Sequence, residues 1–163
     1  MPKDVSKMTS DEKLEYLRSL LAPLLRDTIQ AVRERWGEEG VEYVAEYWRK
    51  SRENTTKHMQ DQSEAEFSDV RGVAQIFDYN DGNFYGAPDA YWEELTPTYG
   101  KKIVRNCAIA KYFSPDICKI CFREAAVGIG KRLTGNEKFK VTVPKAISSG
   151  DDICEIILEA PKG

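Results

Sequence analysis

The spacing of apolar residues changes near the middle of this chain, and that change restricts the fold to a helical part followed by a sheet-bearing part. Before residue 78 apolar side chains recur at intervals of three and four; beyond residue 90 they alternate at intervals of two. Thr9-Ser10-Asp11-Glu12 reads as a capping box that opens a helix. Leu14, Leu17, Leu20, Leu21, Leu24 and Leu25, then Ile29, Val32 and Trp36, form one stripe, which is expected to be core. Pro23 should kink or split this helix, because it lacks an amide donor, and Gly37 should end it. Val41, Val44, Ala45 and Trp48 begin a second amphipathic segment that fades in the polar run 51–62, and Phe67, Val70, Val73, Ala74 and Phe77 mark a third.

Asn80-Asp81-Gly82-Asn83 and Gly86-Ala87-Pro88-Asp89 are turn signals at the seam. Strands are expected over Tyr91 to Leu95 and Lys102 to Ile109, paired antiparallel. Ser114-Pro115-Asp116 opens a helix over 115–127 that Gly128 and Gly130 should stop. Phe139, Val141 and Val143 alternate with Lys138, Lys140 and Thr142, and Ile153 to Glu159 completes a set of four strands. The expected class is α+β: a helical half over 1–78 packed on a small antiparallel sheet over 90–160 with one inserted cysteine-bearing helix, all in one domain over 1–163.

Ordinary globular usage, 41% hydrophobic and 31% charged residues, makes a folded chain the expectation. The net charge of −3 and the lack of a basic block argue against a nucleic-acid partner. No run of about 18 apolar residues could span a bilayer, and the polar first ten residues lack the apolar stretch of a secretory signal. The expected compartment is therefore the cytoplasm, where the four cysteines would stay reduced. The long leucine stripe, with Trp36 and Trp48, offers more apolar surface than a small sheet covers, which leaves room for a homodimer.

All four cysteines fall in the second half: Cys107 in a strand, Cys118 and Cys121 three apart on the helix, and Cys154 in the last strand. Residues three apart share a helix face, so Cys118 and Cys121 could join Cys107 and Cys154 around a tetrahedral zinc. The plainer reading makes each thiol a small buried apolar group. A third makes one of them a nucleophile, which needs a lowered pKa from a helix N-terminus or from a cation such as Arg105 or Arg123. Glu124, one turn after Cys121, could act as a base, while His58 stands alone in a polar stretch. Tyr85, Tyr91 and Trp92 border the Gly-Pro loop and could wall a pocket.

Arg105-Asn106-Cys107, the Tyr112-Phe113 pair, Cys121 with Glu124, and Gly150-Asp151-Asp152-Ile153-Cys154 together resemble the L-2-amino-thiazoline-4-carboxylic acid hydrolase family over roughly residues 91–159. The resemblance implies a hydrolase that opens a small cyclic amidine or isothiourea at a carbon–nitrogen bond. Cys107, Cys121 and Cys154 with Glu124 would then be the catalytic set, and Arg105, Tyr85, Trp92 and Asp151 would bind substrate. Glu124 stands where the family pattern has an aspartate, and Cys118 is additional to that pattern. The competing expectation is a non-catalytic module, akin to 4-vinyl reductase domains, in which a pocket between helices and sheet takes a small molecule and the four cysteines hold zinc or an iron–sulfur cluster. The cofactor expected is accordingly none or zinc, and the partner a small molecule.

Overall fold

The computed structural model describes residues 4–161. Three helices cover one face of a four-stranded antiparallel sheet, so the α+β class expected from the change of period is the class observed. Helix α1 spans Ser10–Gln62, α2 Val70–Asn80 and α3 Arg123–Thr134; the strands are β1 Tyr91–Leu95, β2 Tyr99–Val104, β3 Lys140–Lys145 and β4 Cys154–Glu159. Their order in the sheet is β1-β2-β4-β3. β4 therefore inserts between β2 and β3, pairing Val104 with Cys154 at one end and Tyr99 with Glu159 at the other.

Thr9 caps α1 as its sequence predicts: its hydroxyl accepts from the Glu12 amide at 3.2 Å, and Glu12 accepts from the Thr9 amide at 2.9 Å. The expected break at Pro23 is absent. The helix runs through it, with Ala22 and Ile29 anchored in the core at 2% and 1% exposure, and the break falls at Gly37, whose φ of 68° suits a residue without Cβ. The polar run beyond Ser51 stays helical to Gln62, because its inner side still buries Thr56 and packs Met59 on the core. The leucine stripe is a second correction: Leu17, Leu20, Leu21 and Leu24 are 50, 51, 55 and 64% exposed.

The third helical segment starts later than expected, at Val70, because Asp69 caps it through the Arg71 amide and Phe67 stays outside. β2 also ends at Val104, so Cys107 lies in the loop beyond the strand and not within it. Gly128 and Gly130 lie inside α3 and do not terminate it; Gly135, with a φ of 65°, caps its end. Their role is close approach. A Cβ at Gly128 would stand 2.3 Å from the Arg49 carbonyl oxygen of α1, and one at Gly130 would meet the Phe139 ring at 2.1 Å.

Two apolar clusters result. One joins α2, α3 and the sheet through Val70, Val73, Ile76, Ile129, Phe139 and Leu158. The other joins α1 to the irregular chain between β2 and α3 through Ala22, Ile29, Val41, Ala45, Ile109, Ile117 and Cys121.

Candidate functional site

Between the second segment of α1, the sheet and the irregular segments lies a cavity of about 630 Å³. Two π-helical stretches shape it, Asp81–Tyr85 after α2 and Ile117–Phe122 before α3. π-turns carry extra residues per turn and often occur at functional positions. The first is fixed to α1 by buried Arg18, which donates to the carbonyls of Phe84 at 2.7 Å and Asn83 at 3.2 Å. In the second, Phe122 is the centre of an aromatic wall. Its ring meets Trp48 and Tyr85 edge-on, each at 5.5 Å, and Phe113 at 5.4 Å. Tyr47 and Phe84, 67 and 40% exposed, reach the cavity from the surface side, as does exposed Arg52.

Cys107, Cys118 and Cys154 all line this cavity. They arrive from the loop after β2, from the second π-turn and from the first residue of β4. Cys121 does not join them, although an α-helix would have put it on the face of Cys118. The wider π-turn rotates it away, into the second apolar cluster, where it is fully buried. Among the described residues no group of three or more His, Cys, Asp or Glu side chains is placed to hold a metal, so the four-thiolate site expected from the spacing is not assembled here.

Burial decides the state of these thiols. It pushes Cys107 up from an ordinary 9.0 to about 11, against amide hydrogen bonds from Ala110 and Ile109 that pull it down. Burial likewise lifts Cys118 and Cys121 each to about 12, and it raises Cys154. All four are neutral thiols near pH 7, which is the state of an apolar lining group and the opposite of an activated nucleophile. The Tyr85 phenol is desolvated too and its pKa is raised.

The other candidate residues scatter. Glu124 sits outside the cavity, paired with Arg123 at 3.0 Å and Arg49 at 3.7 Å. Arg105 is exposed and among the described residues reaches Tyr91 alone, with its guanidinium 5.8 Å from that ring. Asp151 closes its own turn by accepting from the Ala146 amide at 2.8 Å. Trp92 packs on Phe77 at 6.4 Å and donates to Asp78 at 2.9 Å, beside the cavity and not in it. His58 is exposed and apart. Of the candidate site residues read from the sequence, the structure brings Cys107, Cys118, Cys154, Tyr85, Phe113 and Arg123 to the cavity, with the Arg123 guanidinium paired to Glu124.

Sequence reasoning missed a buried charged group behind the cavity wall, paired with the lining residue Asp81. Lys102 of β2 is 0% exposed; its ammonium pairs with Asp78 at 2.5 Å and with Asp81, and lies 4.8 Å from the Trp92 ring. The signal was in the alternation, since Lys102 shares the inward register of Gly100 and Val104.

No protein-family model matches the chain, and no curated protein matches it by sequence. Solved structures do match. The phenol-responsive sensory domain of the transcription activator PoxR, crystallised with phenol, superposes with a TM-score of 0.61 at 9% identity, over 85% of this chain and 74% of that one. A trafficking protein particle complex subunit 3 from Naegleria fowleri, covalently bound to palmitic acid, gives 0.57 at 15% identity, over 88% of this chain and 97% of that one. These two share its fold. Identities this low carry the architecture alone. Among the described residues no helix is long and apolar enough to cross a membrane.

Proposed function

We propose that this chain is a binding module that takes one small, largely apolar molecule into the cavity between α1 and the sheet. The observation that carries the reading is the cavity itself: about 630 Å³, walled by Trp48, Phe113, Phe122, Ile129, Ile156 and neutral thiols, within the size range of small-molecule sites. A concave cleft of this size, mostly apolar with a few polar groups, has the form usual for small-molecule sites. The two structural neighbours hold phenol and palmitic acid.

The hydrolase expectation has less behind it. Its thiols are held protonated, its carboxylate Glu124 is paired with two arginines and does not line the cavity, and neither does Arg105. A metal-holding module is tested by the same preparation: elemental analysis giving about one zinc or iron per chain would restore the four-cysteine reading. For the cavity, the test is titration with the neutral dye N-phenyl-1-naphthylamine. Saturable binding of one dye per folded chain is expected, and absence of saturable binding by folded protein would overturn the proposal.

The reading includes self-association. Tyr16, Leu17, Leu20, Leu21 and Leu24 leave on the order of 500 Å² of apolar surface uncovered, which equals the apolar share of a standard interface of about 800 Å² per partner. A second copy is the occupant that a single patch can meet about a two-fold axis. Sedimentation should give a dimer that Leu20→Glu with Leu24→Glu converts to a monomer; a wild-type monomer would remove this part.

A further inference from the structure

Asp81 is the first residue of the π-turn that walls the cavity, and its two oxygens are not alike. Oδ2 is fully enclosed against the Lys102 ammonium. Its neighbour Asp78 takes two donors on one oxygen, Lys102 at 2.5 Å and the Trp92 indole at 2.9 Å. No described residue donates to Oδ1 of Asp81, and the side chain, 13% exposed, lines the cavity. Oδ1, unlike Oδ2, is not enclosed, so it is the oxygen through which Asp81 can meet a molecule in the cavity, and a ligand that covers it without offering a donor strips its water at a cost. Burial raises the Asp81 pKa even though Lys102 draws it down, so the ammonium does not fully offset that cost.

One ammonium serves both carboxylates, and of these three groups Asp81 is the one that lines the cavity, where it is the acidic side chain among the described lining residues. Among the described residues two cations line the cavity: Arg123, which is paired with Glu124, and Arg52 at the rim, which is exposed and has no ion-pair partner among those residues. A ligand that meets the wall therefore needs a donor, and a ligand held at the rim would need an anion.

We propose that the cavity selects apolar molecules bearing one hydrogen-bond donor, a hydroxyl or an amine, which is received by Oδ1 of Asp81. This rests on the binding-module reading and names its ligand class. Cys107, Cys118 and the aromatic wall take the apolar body, while Asp81 orients it. A molecule of the same shape without the donor leaves the carboxylate unmet, and a carboxylate in its place meets repulsion.

The experiment compares 2-naphthol, 2-methoxynaphthalene and 2-naphthoate as competitors of N-phenyl-1-naphthylamine, in wild type, Asp81→Leu and the double variant Asp81→Leu with Lys102→Met. The double variant removes the buried pair as a unit, so that no ammonium is left without its partner. Wild type should prefer 2-naphthol over its methyl ether by about tenfold or more, as expected for a hydrogen bond to a charged group. The dye is itself an amine, so both variants should bind it more weakly but still saturably, with the preference for 2-naphthol reduced to about twofold. Equal binding of alcohol and ether by wild type would overturn the donor role and leave the cavity reading standing. Tightest binding of 2-naphthoate would overturn it in favour of the Arg52 rim. Failure of the dye itself to bind would remove both readings.

Discussion

The two apolar clusters of this protein differ in what supplies them. Regular elements build the cluster of α2, α3 and the sheet: Val70, Val73, Ile76 and Leu158 are wholly buried, and glycines at Gly128 and Gly130 let backbone and ring approach to contact. Irregular chain builds much of the other, with two π-turns, a loop and the thiols, and between the two clusters the protein is hollow, with Ile129, Val141 and Ile156 of the first cluster forming part of the wall. The comparison teaches that stability and binding are divided between neighbouring parts of one small domain. The filled cluster holds the helices on the sheet and lends the cavity one wall; the irregular chain supplies the other and leaves room for a guest.

The strongest way to break that division is at the α1–α3 contact. Gly128→Ala puts a methyl group 2.3 Å from the Arg49 carbonyl oxygen, a backbone atom that cannot swing aside. Urea denaturation should show a loss of about 3 kcal/mol or more. A variant as stable as wild type would mean that the helices are not held by this contact.

Truncations then sharpen the contrast. Leu158→Ala, in the filled cluster, should cost about 3 kcal/mol, because it leaves a new void. Leu25→Ala removes a half-buried side chain from the edge of an existing void and should cost about 1 kcal/mol, while weakening dye binding. Equal costs from matched melting curves would contradict the division.

The thiols give a smaller effect with a defined sign. At pH 7.5 Cys107, with its pKa raised from 9.0 to about 11, should react with a disulfide reagent about 100-fold more slowly than a free thiol, and dye should slow it further. Because the folded values lie above the unfolded ones, the folded state keeps protons that the unfolded state loses. Stability is therefore flat below about pH 9 and falls as pH rises toward 11 and 12. Replacing Cys118 by Ser should flatten the fall, as measured by denaturation at stepped pH.

Much of this fold was legible in the residues. The Thr9 capping box, the bend at Gly37, strand β1 and the alternation at Val141 all stand where pattern placed them. Glycine was the first ambiguity: Gly37 and Gly135 serve positive φ, whereas Gly128 and Gly130 serve close packing, and a sequence does not separate the two uses. The π-turns were the second. One widened turn at Ile117–Phe122 separates Cys118 from Cys121, so helical spacing misplaced a thiol that chemistry had singled out. Asp81 read as turn composition because its meaning depends on Lys102, a partner 21 positions away across the fold.

The most direct test of the central claim is to fill the cavity from inside. Cys118→Phe adds a ring to the cavity wall that Cys118 shares with Cys107 and Cys154. The account predicts a folded variant with near wild-type melting that no longer binds N-phenyl-1-naphthylamine, against one dye per chain in wild type. Undiminished saturable binding by folded Cys118→Phe would place the dye elsewhere and contradict the cavity as the functional site.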